Sequence, residues 1–435
     1  MASEFRAGAA SVNVSPDNPT LMVAAGLHPT GPARGVLDGY ELHIDAIAMA
    51  AGDTALIIAT CDATAWSRGD ETPVDEVVAE RTGVPLSHIR ILSRHNHSAW
   101  GSPADEDDPA GEAACEAYRR KVRQGMIDAC CQAVDAMKPA EIAAGTATLS
   151  ETVGTNRRMR YAGGGVMPSW GSGPVGIPGE KFAGPADPDP TRIGFLVARA
   201  VGATAPMALL TSYDAHIHLV SINRFNAEVV GGVKTAFAER LPGTIIAYGN
   251  GFCGDVDMHS VHPIGADDDA GRVAWYRRST ALLGRRFAEA VMDAMPTDDD
   301  FVRPETIEHL AYSTADRSHD RRQRRFTVRA FRLGLIAIAT TPAEMFSAFA
   351  EQIHRASPFD HLVLLGFDGR CGYIGTPIAY EQGGYEIGLQ GYGAETETAM
   401  LAAGVRRRQI GMARPDTGAD ITAQTITLLK RLASR

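Results

Sequence analysis

The sequence predicts an α/β fold: a single large mixed-sheet domain over residues 1–435, with its site gathered at strand ends. Three observations carry that expectation. Short apolar runs alternate with helix-period segments along the whole chain. No repeat of roughly 20–50 residues is visible, and no Ser/Pro-rich linker divides the chain. A balance of 45% hydrophobic to 22% charged residues suits a globular core that needs no disulfide staples.

Residues 8–60 read as β-rich. Ala46 to Ala50 and Thr54 to Thr60 flank the turn Ala51-Gly52-Asp53 and predict a hairpin ending at Asp62. A helix over 73–82 closes at Gly83, and the strand Ile89 to Ser93 delivers Arg94-His95-Asn96-His97-Ser98. Residues 111–137 form a long helical pattern with Ala114, Tyr118, Val122, Met126, Ile127 and Cys130 on one side. The segment 162–190 carries Gly163, Gly164, Gly165, Pro168, Gly171, Gly173, Pro174, Gly176, Pro178 and Gly179, which cannot hold a helix or central strand. A structureless, lid-like loop partly covering the site is expected there. Strands resume at Ile193 to Val197 and at Met207 to Thr211, the second ending near His216. Helices follow over 226–240 and 272–295, and between them the strand Thr244 to Tyr248 leads into Gly249 to Asp255. Residues 300–330 read as irregular, and within them 317–325 is the one basic cluster, expected to be a solvated face or connecting loop. Phe326 to Thr341 patterns as strand, Pro342 to Ala356 as helix, and a terminal helix covers Ile421 to Leu432.

Lys and Arg number 42 against 52 Asp and Glu, so the net charge is −10 and the pI near 5.7. That surface disfavours nucleic acid or an anionic membrane as the main partner, because both reward positive charge. Six scattered cysteines (Cys61, Cys115, Cys130, Cys131, Cys253 and Cys371) with no C-x-x-C fit a reducing compartment. The first residues lack the apolar core of a signal peptide, and no run approaches the roughly 18 apolar residues of a membrane span. The expectation is a cytoplasmic protein acting on a small molecule, with a symmetric homo-oligomer as the usual state of such enzymes.

The sharpest local signal is His95-Asn96-His97 at a strand end, where period-2 geometry would turn both imidazoles to one face. A second pair, His216-Ile217-His218, follows Ser212-Tyr213-Asp214-Ala215 at the end of another apolar strand. Imidazole is the commonest zinc ligand, and catalytic zinc takes about three protein ligands plus water. Glu344 sits where an apolar strand gives way to a helix, a place where α/β sites collect. Tyr373, Tyr380 and Tyr385 crowd a Gly-punctuated stretch, where phenols can pack, donate to an oxyanion or ligate a metal.

Taken together these stretches resemble the catalytic domain of the neutral/alkaline, non-lysosomal ceramidase family. Arg94-His95-Asn96-His97-Ser98 is similar to the family's T-H-T-H-S-G, Asn156-Arg157 to N-R-S, and Tyr213-Asp214-Ala215-His216 to A-A-H-P-T. Gly254-Asp255-Val256 is similar to G-D-V-S-P, Pro342-Ala343-Glu344 to P-G-E, and Tyr373-Ile374-Gly375-Thr376 with Tyr380 and Tyr385-Glu386 to Y-x-T-T…E-Y…Y-E. The motifs keep their order from about residue 7 to residue 430. The resemblance implies one zinc ion per chain held by His95, His216, Glu344 and Tyr373. It implies that His97 is an acid/base or carbonyl-polarising group, and that Arg157 and Tyr385 hold the substrate carbonyl and its oxyanion. Trp100 and Tyr380 are then expected beside the substrate. Strand periodicity accepts either His216 or His218, and the resemblance selects His216. The implied reaction is zinc-dependent hydrolysis of a linear amide C–N bond by activated water, with a carboxylic ester or lactone as the alternative substrate.

The departures from the family pattern bear on substrate and mechanism. Ser98-Ala99-Trp100-Gly101 replaces S-G-P-G and brings an indole to the metal, while Asp257 stands where the family has serine. Ala343 replaces the glycine of P-G-E, and Ile217 the proline of A-A-H-P-T. The family's C-terminal immunoglobulin-like domain is not expected after the terminal helix, and a smaller, more polar amide than ceramide is expected. Cys253 at a tight glycine turn reads as a small packing residue, and Asp62 as a structural acid or a partner for a ligating histidine. Trp66, Trp100 and Trp170 are core residues by default and pocket residues as the alternative.

Overall fold

The first hairpin sets the architecture. His43–Ala51 and Thr54–Cys61 pair antiparallel around Gly52. Ile47, Met49, Leu56 and Ile58 pack into one apolar cluster, and Ile44, Ala46, Ala48, Ile57 and Ala59 into another. Strands buried on both faces need a layer on each side. The computed structural model describes residues 4–24, 31–64, 73–170, 173–174, 176, 179–219, 222–258, 268–317, 323–369, 372–388, 398, 401 and 413–435.

An eight-stranded sheet runs in the order Ile245–Asn250, Pro206–Tyr213, Arg192–Ala200, Lys138–Thr148, Arg6–Asn13, His43–Ala51, Thr54–Cys61, Ile89–Ser93. The outermost pair at each edge is parallel and the inner pairs are antiparallel. A four-stranded sheet runs Ile307–Arg317, Gln323–Leu333, Ile336–Thr340, His361–Leu365, its last pair parallel. The two sheets share one apolar layer, in which Ile47, Met49, Leu56 and Leu210 pack with Phe331, Ile336, Ile338 and Leu365. Val74–Thr82 and Pro109–Asp135 cover half of the large sheet, and Glu228–Arg240 with Asp269–Asp293 cover the other half. Ser347–Ala356 and Thr417–Ala433 cover the small sheet. The result is four layers: helices, sheet, sheet, helices. Gly366 joins the sheets at one end, where its N–H donates to the Asn250 carbonyl at 2.8 Å.

Several local expectations need correction. Segment 162–190 is not structureless: Val166–Trp170, Gly173–Pro174 and Phe182–Pro185 form a small sheet with Arg158–Tyr161. Its strands tolerate glycine and proline because they are short and irregular; the register shifts between Phe182 and Gly184, and Gly184 has φ +113°. Residues 300–330, read as irregular, contain Ile307–Arg317 and most of its hairpin partner. Of the basic cluster, 318–322 lie outside the described residues. The helix expected from Pro342 starts at Ser347, because Glu344–Met345 pairs in parallel with Tyr373–Ile374. Trp66, Cys371 and the side chain of Trp170 also lie outside what is described.

Candidate metal centre

His95 lies just past the carboxyl end of Ile89–Ser93, and His216 past the end of Pro206–Tyr213. Glu344 follows Ile336–Thr340 in the other sheet, and Tyr373 is its direct neighbour in parallel register. A ring nitrogen of His95, one of His216 and a carboxylate oxygen of Glu344 all lie within 4.8 Å of one another, and all three residues are buried. His216 Nε2 is 3.2 Å from Glu344 Oε2, and His95 Nε2 is 3.7 Å from the same oxygen.

The tautomers follow from the partners. His95 Nδ1 is 2.7 Å from the Thr64 carbonyl, and His216 Nδ1 is 2.9 Å from the Val256 carbonyl. A carbonyl only accepts, so each Nδ1 carries the proton and each Nε2 is turned toward Glu344. Glu344 Oε1 in turn accepts the Gly372 N–H at 2.7 Å. Burial alone would raise Glu344, but His95, His216 and the Gly372 amide outweigh it and hold the carboxyl at about 2. Two clamped imidazoles and an ionised carboxylate facing one point could hold a metal ion, and a donor set of two His and one Glu is one that zinc accepts.

Strand periodicity does not govern the histidine pairs. Both strands end before their first histidine, and His95 itself is left-handed at φ +55°. The second histidines therefore leave the ligand group and meet each other: the His97 and His218 rings stack at 4.5 Å and 17°. Burial first, then the neighbouring imidazoles, lowers His97 well below the ordinary histidine value, so it is neutral. Arg94, between strand and ligand, is fully buried. It pairs with Asp45 and with Asp62 (2.8 Å) and donates to the Tyr248 carbonyl at 3.1 Å. Asp62 thus serves Arg94, and its other bond accepts the His43 N–H at 2.9 Å.

A cavity of about 190 Å³ opens on this group, lined by Thr64, His95, His97, Trp100, Glu344, Tyr373 and Tyr385. Trp100 is half exposed at its rim, at 49%. Arg157 lies behind the phenols. Its guanidinium donates to Glu386 (2.7 Å), Asp257 (2.8 Å), the Gly254 carbonyl (2.9 Å) and the Tyr373 hydroxyl (3.1 Å), and lies 5.5 Å from the Tyr373 and Tyr385 rings. Tyr385 shares a hydrogen bond with Tyr373. Tyr380 is not brought to the cavity: it is buried in the small-sheet core, and its hydroxyl donates to the Ala413 carbonyl at 2.9 Å. Burial pushes the Cys253 thiol well above its ordinary value, which removes it as a thiolate. A larger hollow of about 280 Å³, walled by Glu151, Arg286, Glu289 and Asp293, contains none of these groups.

Four contributors escaped the sequence reading. Thr64 and Val256 act through backbone carbonyls, which leave no mark in the sequence. Phe367 stacks on His95 at 5.0 Å and 26°. The apolar run His361–Leu365 was the available signal, since Phe367 follows that strand's end. Glu228 is buried with φ +52° and accepts the Ser98 hydroxyl at 2.8 Å, and burial raises its carboxyl to about 8.

No family model and no curated protein matches the chain. Among solved structures, it is similar to the neutral ceramidase of Pseudomonas aeruginosa, with a TM-score of 0.65 at 12% identity over 100% of this chain and 75% of that one. A ceramidase complexed with C2 aligns with a TM-score of 0.67 at 13% identity, over 100% of this chain and 76% of that one. The α/β fold is therefore ceramidase-like. Among the described residues, no helix is long and apolar enough to cross a membrane.

Proposed function

We propose that this protein is a zinc-dependent hydrolase that cleaves a linear amide C–N bond in a small molecule. The observation that carries the reading is the convergence of His95, His216 and Glu344, each oriented by a backbone hydrogen bond, on a ceramidase-like fold. His95, His216, Glu344 and, through its phenol, Tyr373 would hold the ion. When bound, zinc supplies a Lewis acid that activates water and polarises a carbonyl at neutral pH.

The remaining roles belong to the chain itself. Trp100 and Tyr385 flank the cavity and orient the amide. His97, neutral on the cavity wall, accepts a proton at its ring and returns it to the leaving nitrogen, which an amine leaving group requires. The Tyr385 hydroxyl donates to the developing oxyanion. Arg157, tied into its ion pairs, holds Tyr373 in place and keeps a positive charge behind both phenols. Asp257 is committed to Arg157, so the attacking group is water rather than a side chain at that position.

Paired small amides and esters with the same acyl group, assayed with zinc-loaded and chelated protein, test the reading. Amide hydrolysis that vanishes on chelation and returns with zinc is expected. Turnover of esters alone would move the activity to an esterase, and turnover indifferent to chelation would refute the metal mechanism.

A further inference from the structure

We propose that Phe367 is a positioning residue for the metal centre, its ring setting the orientation of the His95 and His216 imidazoles. This rests on the zinc reading above. The hydrogen bond at Nδ1 fixes a point on each imidazole, and the rings packed against it set its tilt. Phe367 touches both rings from outside the histidine group: it stacks on His95 at 5.0 Å and 26° and meets His216 edge-on at 6.5 Å and 77°, while His97 packs on His95 and His218 on His216 from other sides. The residue is 1% exposed and left-handed at φ +57°, a conformation that Cβ sterics disfavour in a non-glycine residue.

What holds it there is shared with the ligands. The Phe367 N–H donates to the Ala343 carbonyl at 3.4 Å, and the Asp368 N–H to the Thr341 carbonyl at 3.0 Å. The Asp368 carboxylate accepts from Arg90 (3.0 Å), Arg329 (3.1 Å) and the Thr340 hydroxyl (2.5 Å). Arg90 lies on the strand that delivers His95, and Thr340 ends the strand that leads to Glu344. Phe367 is thus registered to both sheets through Asp368. Outer-shell hydrogen-bond partners that orient ligating histidines typically contribute about 10–100-fold in metal affinity, and a stacked ring that sets the same orientation is placed at the low end of that range.

The test measures zinc affinity by chelator competition, and the visible spectrum of the cobalt-substituted protein, for wild type, Phe367→Leu and Asp368→Asn. Leucine keeps apolar bulk but presents no flat face. The expected result is a thermal midpoint near wild type for Phe367→Leu, with zinc held about tenfold or more weaker and an altered cobalt band. Asp368→Asn should move both in the same direction by less. Wild-type affinity and spectrum in Phe367→Leu would overturn the proposal, as would affinity lost only in step with folded protein. Should Phe367→Leu not fold, unchanged affinity in Asp368→Asn would overturn it instead. Wild type that takes up no metal would refute the zinc reading itself, a result distinct from either.

Discussion

Gly366 sits where the two ligand-bearing sheets meet, and its replacement by alanine gives a calculable disturbance. A Cβ on Gly366 would lie 2.5 Å from the Gly251 carbonyl oxygen, whereas real Cβ contacts stop at about 3.0 Å. The backbones must therefore separate by about 0.5 Å, and neither can rotate away as a side chain could. One flank carries Phe367 against His95, and the other follows the strand beside the one that leads to His216. Zinc sites accept only about 0.2 Å of ligand error, so the affinity should fall. A misplacement of about 1 Å costs on the order of 10²-fold in rate, which puts half that shift near tenfold. Overpacking should also lower stability by about 1–3 kcal/mol. Gly8→Ala is the control, because its Cβ would meet Met137 N at 2.6 Å and Ala136 C at 2.7 Å, against the long helix and its C-terminal end. Urea unfolding and zinc–chelator competition on both variants separate the effects. Both should lose stability, and only Gly366→Ala should lose zinc affinity. Wild-type affinity in folded Gly366→Ala would refute the geometric reasoning.

Other consequences follow from single residues. Tyr385→Phe removes a cavity hydroxyl and should lower kcat by about 10²–10³ with zinc content unchanged; steady-state kinetics showing a fall of less than about threefold would contradict its role as an oxyanion donor. Ala343 is left-handed at φ +68°, so Ala343→Gly relieves roughly 1–2 kcal/mol while adding roughly 0.5–1 kcal/mol of unfolded-state entropy. Its urea midpoint should be unchanged or raised. Glu228 has a folded pKa of about 8, above its ordinary value of 4.5, so the unfolded chain releases this proton first as pH rises. Stability relative to Glu228→Gln is then intact below about pH 4.5 and lost progressively up to about pH 8, by roughly 3–5 kcal/mol. Thermal or urea unfolding of both proteins at pH 5 and pH 9 reads the difference, and a pH-independent gap would contradict it.

The parts of this molecule that were legible in its sequence share a physical cause. The hairpin at Gly52, the helix closed by Gly83 and the strand before His95 are strongly patterned, local and punctuated by glycine. The strand Lys138–Thr148 went unread because its alanines and glycine carry little pattern and are buried by neighbours distant in sequence. The small sheet within 162–190 was hidden for the opposite reason: its breakers are compatible with short irregular strands, which composition alone cannot distinguish from loop. At the site, the ligating residue types and their strand-end positions were visible. Which histidine of each pair turns to Glu344 was given by the family motifs and not by strand periodicity, because the left-handed turn at His95 and the carbonyls of Thr64 and Val256 decide it.

Elemental analysis of purified protein decides whether a metal is held by His95, His216 and Glu344. Wild type, His95→Ala, Glu344→Ala and His218→Ala would be measured together after dialysis against zinc. One zinc per chain is expected in wild type and in His218→Ala, and its loss from the other two. Folded wild type that takes up no zinc, or zinc retained in His95→Ala and Glu344→Ala, would contradict it.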